Sequence, residues 1–441
     1  MARNDRRRPL KIVTGVSGSP KVYAAAIDPG NSTLTDLLTT AELAEQHRFD
    51  ALFAADLLSF GSQGAIGAQE PLIVLSALSA VTEHLGLIAT VTTTFHHPYN
   101  LARLFGTLDH ISNGRAAWNA VTSSVGEENY GDAELPSPEE RYARAAESIE
   151  VVNALFDSWG PDALTPDGRG GAVLDATRVR PIDYAGQHFT VRGPLNIPPL
   201  PQRRPVQFQA GQSDGGVELG ARYAEVVFTS LSTLDDALSY AKRIRTRAAE
   251  LGRPDGLPLI FGSLHATYGA TESEALRLVR EREEATDFEA GRRTLADMLG
   301  GAVDLSELPL DKPIPERLLP EVASVHRRRG RVEIFNGYAR SGKTLRELII
   351  AAKDTGHWAA AGTPEQLADA IEERYTAGVL DLIGLGGLDD PRTRDFLLNG
   401  LLPELRTRGI VGRDYLGATF RDNLELPPLP PPHSGIASAA S

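Results

Sequence analysis

Polar side chains break the apolar runs of this chain at recurrent places. RAAWNAVTS (115–123) carries Asn119 in its middle and ends in Thr122 and Ser123. A strand buried on both faces should read almost wholly apolar. The same break recurs as Asp56 after ALFAA, as Thr92 and Thr94 in TVTTT, and as Ser213 after QFQAGQ. Any one of these residues suits a helix N-cap or a satisfied core group. The set, repeated at several strand ends, points to a site that binds a polar ligand by hydrogen bonds.

AGQSDGGVELG (210–220) adds an anion-binding pattern. A short turn with Gly and Ser, between a strand and a helix, can aim backbone N–H groups and a hydroxyl at a phosphate. The helix N-terminus favours negative charge there. Ser213 or Asp214 would equally serve as a helix cap. A second motif, GYARSGKT (337–344), matches G-x-x-x-x-G-K-T, follows VEIF and precedes LRELIIAAK. It reads as strand, loop and helix, and it raises nucleotide hydrolysis as another class of function. Against this, the motif lies deep inside a long irregular stretch. The nearby acid, Asp381, precedes its apolar run instead of ending one. A solvent-exposed turn before a helix is the favoured reading.

Histidine spacing gives no metal motif. His96 and His97 are adjacent and would face opposite ways in an extended strand, and His265, His326 and His357 have no nearby carboxylate pattern. The chain has 0 cysteines, which excludes disulfides, thiolate metal sites and a cysteine nucleophile. Its net charge of −13 argues against a broad phosphate-binding face. No apolar run approaches the roughly 18 residues that suggest a membrane span.

The elements that must position these residues alternate in type. Strand-like runs occur at 11–16, 51–56, 86–95, 115–123, 205–211, 225–231, 259–269 and 380–387, and amphipathic helical patterns fall between them. About eight strands, several without alternation, each followed by a helix, predict a (β/α)8 TIM barrel. An open doubly wound sheet is the alternative, since periodicity alone does not close a barrel. In a barrel, site residues gather at the C-terminal ends of the strands, where the polar breaks lie. Residues 11–425 read as one barrel with insertions at about 160–204 and 290–362, placed to form lids. The first insertion holds a possible hairpin, YAGQHFTVRGPL. Residues 1–10 read as a basic leader and 426–441 as a Pro/Ala/Ser-rich tail. RRRPLK loosely imitates a twin-arginine export signal, but Gly, Ser, Thr, Pro20 and Lys21 interrupt the apolar stretch beyond it, so a cytoplasmic location is expected.

TTTFHHPYNLARLFGTLDHISNGRAAWNAVTS resembles a family of flavin-dependent monooxygenases within the bacterial-luciferase superfamily. That family includes nitrilotriacetate, dibenzothiophene-sulfone and long-chain alkane monooxygenases and pristinamycin synthase. The resemblance continues through FDALFAAD, ERYARAAESIEVVNALFDSW, GQHFTVRGPLNIPPLPQRRPVQFQAGQSDGG and GTPEQLADAIEERYTAG, and covers most of residues 35–405. It implies a TIM barrel that binds FMN as FMNH2, supplied from NADH or NADPH by a separate flavin reductase. It also implies a homo-oligomer, dimer or tetramer, that oxygenates a small organic substrate with O2. The flavin would activate O2, and the protein would supply binding, orientation and dryness.

Position by position, the resemblance places Asp56, Thr92, Thr94, Asn119 and Ser123 along the isoalloxazine and ribityl chain. Tyr142, Ser213 and the backbone of Gly211 and Gln212 would hold the phosphate. For Tyr142 the alternative is a helix-surface aromatic that anchors an insertion. There are departures. Residues 15–30 offer only Tyr23 where the family has His and aromatic residues, Pro138 stands where it has a histidine, and Leu380-Asp381-Leu382 replaces its DGF. A flavin- or deazaflavin-dependent oxidoreductase that inserts no oxygen, or a non-catalytic flavin-binding protein, are the other functions compatible with the residues.

Overall fold

Short runs rich in Val, Ile, Leu and Phe form the parallel strands Lys11–Gly15 (β1), Ala51–Ala54 (β2), Gly86–Thr92 (β3), Ala116–Val121 (β4), Val206–Ala210 (β5), Val226–Thr229 (β6), Leu259–Tyr268 (β7) and Leu382–Leu385 (β8). Each pairs with the next, and β8 returns to β1 through Lys11 and Leu382. No barrel strand is left as an open edge, so the expected TIM barrel is present and the open-sheet alternative is not. The computed structural model describes residues 8–16, 33–60, 69–131, 134–230, 232–326, 329–354 and 356–430. Most of the leader and the end of the tail lie outside them, as does Tyr23. Among the described residues, no helix is long and apolar enough to cross a membrane.

Burial on both faces explains the missing alternation. Val13, Ile88, Ala117, Phe208, Phe261 and Leu382 point into the barrel. Their neighbours Ile12, Leu87, Trp118, Ile260 and Ile383 pack outward beneath the helices. Those helices are Thr33–Gln46 (α1), Pro71–Ser79 (α2), Pro98–Ile111 (α3), Pro138–Phe156 (α4), Asp214–Tyr223 (α5), Leu234–Glu250 (α6) and Glu272–Glu284 (α7). Three more lie in the long insertion, Phe288–Met298 (α8), Arg329–Arg340 (α9) and Leu345–Lys353 (α10), and then comes Pro364–Thr376 (α11). Proline at the start of α2, α3, α4 and α11 fixes φ where no N–H is needed.

The insertion is helical and builds its own small core from Leu295, Met298, Phe335, Leu345, Leu348 and Ile349. β7 projects past the barrel, and its outer half pairs with the short strand Trp358–Gly362, which returns the chain from the insertion. In residues 160–204, Tyr184–Ala185 pairs with Thr190–Val191 at the expected hairpin, and Leu164–Pro166 pairs with Ala172–Leu174 in another.

The P-loop context is corrected. VEIF lies inside α9, with Val332, Phe335, Asn336 and Ala339 buried at helical spacing, so no strand precedes the glycine turn. Thr344 caps α10 in a reciprocal pair with Glu347, whose carboxylate accepts from the Thr344 amide at 2.7 Å. The hydroxyl a magnesium ion would need already serves a helix cap.

A short helix, Phe420–Asn423, plugs the N-terminal end of the barrel. Phe420 is fully buried and stacks parallel to Phe208, with ring centroids 6.3 Å apart.

Candidate active site

The turn after β5 is built on close backbone approach. A Cβ on Gly216 would stand 2.8 Å from the Gly211 carbonyl carbon, and one on Gly215 would meet the Tyr142 ring at 2.5 Å. Only glycines let the first turn of α5 lie against the end of β5 under that ring. Ser213 is the N-cap of α5, its Oγ accepting from the Gly216 amide at 3.4 Å, and the same Oγ shares a hydrogen bond with the Tyr142 hydroxyl at 3.0 Å. Both readings of Ser213, cap and site residue, therefore hold at one atom. Gln212 is clamped to the end of β6. Its side chain donates to the Ser230 carbonyl at 3.2 Å and accepts from the Ser230 amide at 3.3 Å. Tyr142 reaches this turn from α4.

A cavity of about 250 Å³ opens over the turn. Its walls come from Thr122 and Ser124 after β4, Arg141 and Tyr142 on α4, Ala210 to Ser213, Phe228 to Ser230, Arg329 to Arg331 at the start of α9, and His357. Arg331 donates to the Ser230 hydroxyl at 2.7 Å and approaches His357 Nε2 at 3.4 Å. Burial, helped by the Arg331 charge, lowers His357 to about 3, so its ring is neutral. A neutral ring accepting at Nε2 carries its proton on Nδ1, and that buried atom has no partner among the described residues. Thr229 is 3 % exposed, and its Oγ1 has no partner either.

The other strand-end residues lie on the β2–β4 side of the mouth, outside this cavity. Asn119 points into the barrel beside Thr90. Its Nδ2 donates to Thr90 Oγ1 at 3.0 Å, while its buried Oδ1 has no partner among the described residues. Trp118 faces the helices and donates to the Val91 carbonyl at 3.0 Å. Thr92 ends β3, and its hydroxyl accepts from the Thr94 amide at 3.1 Å. Thr94 Oγ1 is buried without a partner. Asp56 lies two residues past β2, and burial together with the Glu70 carboxylate pushes it up to about 6. Ser123 lies past β4, between the two residues of its loop that line the cavity. His96 and His97 fall after β3 and not within it. His96 Nδ1 pairs with the Thr92 carbonyl at 3.2 Å, and His97 caps α3.

The family model described as luciferase-like monooxygenase matches residues 13–381. The chain belongs to that family. It is 36 % identical over 392 residues to N-acetyl-S-(2-succino)cysteine monooxygenase of Bacillus subtilis (strain 168), covering 88 % of each chain. It is 37 % identical over 414 residues to nitrilotriacetate monooxygenase component A of Aminobacter aminovorans, covering 89 % of this chain and 90 % of that one. A solved structure of riboflavin lyase with modified FMN and riboflavin superposes with a TM-score of 0.81 at 26 % identity, over 95 % of this chain and 96 % of the other.

In this luciferase-like monooxygenase, sequence reading missed several wall residues. Thr229 and Ser230 end β6 just as the recognised residues end their strands, so the same rule would have found them. Arg141 adjoins Tyr142. Gly330 and Arg331 lie more than 100 residues from the turn they cover, and only the basic run RRRGR marks them. His265 has a carboxylate partner that is distant in the sequence. Asp354 sits 3.0 Å from its Nδ1, brought in by the return of the chain beside β7. Asp381 holds the scaffold by accepting from the Ile260 amide at 2.9 Å and from Arg245 at 2.8 Å.

Proposed function

We propose that this chain is the oxygenase component of a two-component system, taking FMN in its reduced form from a separate NAD(P)H:flavin reductase and using O2 to oxygenate a small organic substrate. The observation that carries the reading is the turn Gly211–Gly216 under Tyr142. There, glycines, a helix N-terminus and the Ser213 hydroxyl form a cradle suited to a phosphate. The residues fit the rest of the group as well. Asn119 Oδ1 and Thr94 Oγ1 are buried polar atoms awaiting a partner at the mouth, as a ring with donor and acceptor edges would provide. Ser213, Tyr142 and the Gly211–Gln212 backbone would hold the phosphate, and Asp56, Thr92, Thr94, Asn119 and Ser123 would lie along the ring and ribityl chain.

Bound and reduced, FMN would supply the electrons and the reaction with O2. The chain's own residues bind, orient and keep water out. The Tyr142–Ser213 pair fixes the hydroxyl that would face the phosphate. Asn119, held by Thr90, offers its carbonyl oxygen as an acceptor from inside the barrel. Asp56, with its proton retained to about pH 6, can donate a hydrogen bond in mildly acidic solution. Two further points support the two-component assignment. The sequence has no G-x-G-x-x-G fingerprint after its first strand, and the Aminobacter relative is named as a component A.

Homogeneous protein should bind FMNH2 anaerobically, oxidise no NADH by itself, and change the course of flavin re-oxidation on mixing with O2. Robust NADH oxidation by the protein with catalytic FMN would contradict the two-component reading. Tight binding with re-oxidation at the rate of free flavin would instead indicate a non-oxygenating flavin enzyme or a binding protein.

A further inference from the structure

The long insertion reaches the same cavity from the opposite side. Gly330 lies in the first turn of α9, and a Cβ on it would stand 3.6 Å from the Ser213 amide nitrogen and 3.7 Å from that of Gln212. Neither amide finds an acceptor among the described residues. An anion oxygen accepting from either N–H would sit about 2.9 Å from that nitrogen, in the space a Gly330 side chain would enter. Next to it, Arg331 is held at the wall by Ser230 Oγ and by the neutral His357. On the same wall, the hydroxyl of Thr229, a residue 3 % exposed, has no partner among the described residues. Two helix N-termini, two open amides, a guanidinium and an unpaired hydroxyl thus converge on one space that no side chain among the described residues fills.

We infer that Gly330 and Arg331 complete the phosphate subsite from the insertion, Gly330 by leaving room for the dianion and Arg331 by facing it. They thereby make the site select a flavin phosphate ester over a phosphate-free flavin. The inference rests on the FMN reading above and adds to it the basis of selection. Riboflavin ends in a neutral hydroxyl, which gains little from a cation and from aligned helix ends, whereas a phosphate dianion gains from each. His357 acts as a positioning residue. Its neutral Nε2 can accept from Arg331, which a protonated ring could not do.

The test is anaerobic calorimetric titration with reduced FMN and reduced riboflavin, alongside thermal melting with and without inorganic phosphate. The wild type should prefer FMN by at least about a hundredfold, two charge-assisted contacts of roughly tenfold each. Gly330→Ala should melt no lower than the wild type without ligand, since alanine favours the helix. It should lose at least about tenfold in FMN affinity, with riboflavin affinity unmoved. Arg331→Gln should lower the FMN-to-riboflavin ratio without filling the space. The inference is overturned if both variants keep the wild-type ratio, or if Gly330→Ala weakens both flavins equally. If neither flavin binds the wild type, but phosphate raises its melting temperature and Gly330→Ala abolishes that rise, the anion subsite stands and the FMN reading falls. If phosphate also has no effect, both fall.

Discussion

At the N-terminal end of the barrel, Lys11 and Asp50 meet at 3.6 Å, and Asn423 and the Ile12 amide donate to Asp50 at 3.0 and 2.7 Å. Arg421 forks onto both oxygens of Glu225 at 2.6 Å each, and the Gln207 amide donates to the same carboxylate. Of these side chains only Arg421 keeps a buried atom, its Nε, without a partner among the described residues, whereas at the C-terminal end several acceptors and hydroxyls stay open. Asn119 Oδ1, Thr94 Oγ1, Thr229 Oγ1 and His357 Nδ1 have no partner among the described residues. Desolvated polar atoms are costly to leave unpaired, so the two ends do different work. The lower end uses its polar groups to hold the plug Phe420–Asn423 in place. The upper end holds its groups at a standing cost that an incoming ligand would offset.

Breaking the lower end should have the largest effect. Arg421→Ala leaves the buried Glu225 carboxylate uncompensated and should destabilise the protein by about 3–5 kcal/mol in urea unfolding. The additional stabilisation on adding FMN should be unchanged. A loss of less than about 1 kcal/mol would show that the plug is not held by this pair.

Asn119→Leu probes the upper end. It removes one hydrogen bond to Thr90 and one orphaned oxygen together, so stability without ligand should change by only about 1 kcal/mol. The FMN-induced rise in melting temperature should shrink. A large fall in stability with the FMN shift preserved would move Asn119 from the site to the scaffold.

The pH dependence sharpens the same contrast. Asp56 is raised from 3.8 to about 6, so between about pH 4 and 6 the folded protein keeps a proton that the unfolded chain has lost. Stability therefore falls as pH rises through that window, and Asp56→Asn should flatten this part of the profile. A steeper profile in the variant would contradict the assignment. The smallest effect belongs to Lys343→Ala. Lys343 lies over the Tyr338 ring in the turn between α9 and α10, so stability should change by no more than about 0.5 kcal/mol and flavin titration should not change.

Much of this contrast was legible in the sequence at the mouth and little of it at the plug. Asn119, Thr94 and Ser213 stand out because a polar residue at the end of a doubly buried strand breaks a strong pattern. The barrel itself was legible because residues such as Ile12 and Val13 are buried on opposite faces, which removes alternation. VEIF misled because three of its four residues, Val332, Ile334 and Phe335, are apolar and β-favouring and resemble a strand. The deciding signal was the longer spacing Val332, Phe335, Asn336 and Ala339, which buries one helix face. Arg421 and Glu225 lie 196 residues apart in the chain, and Gly330 meets Ser213 from more than 100 residues away. Such contacts are set by how the insertion and the C-terminal segment fold back, which no local pattern encodes.

The most direct measurement of the central claim is amide hydrogen exchange in the wild type with and without saturating reduced FMN. The account predicts added protection at 119–124, 210–216, 228–230 and 329–331, with residues 420–424 unchanged. Protection confined to the plug and the lower strand ends, or none at the mouth while FMN is bound, would contradict it.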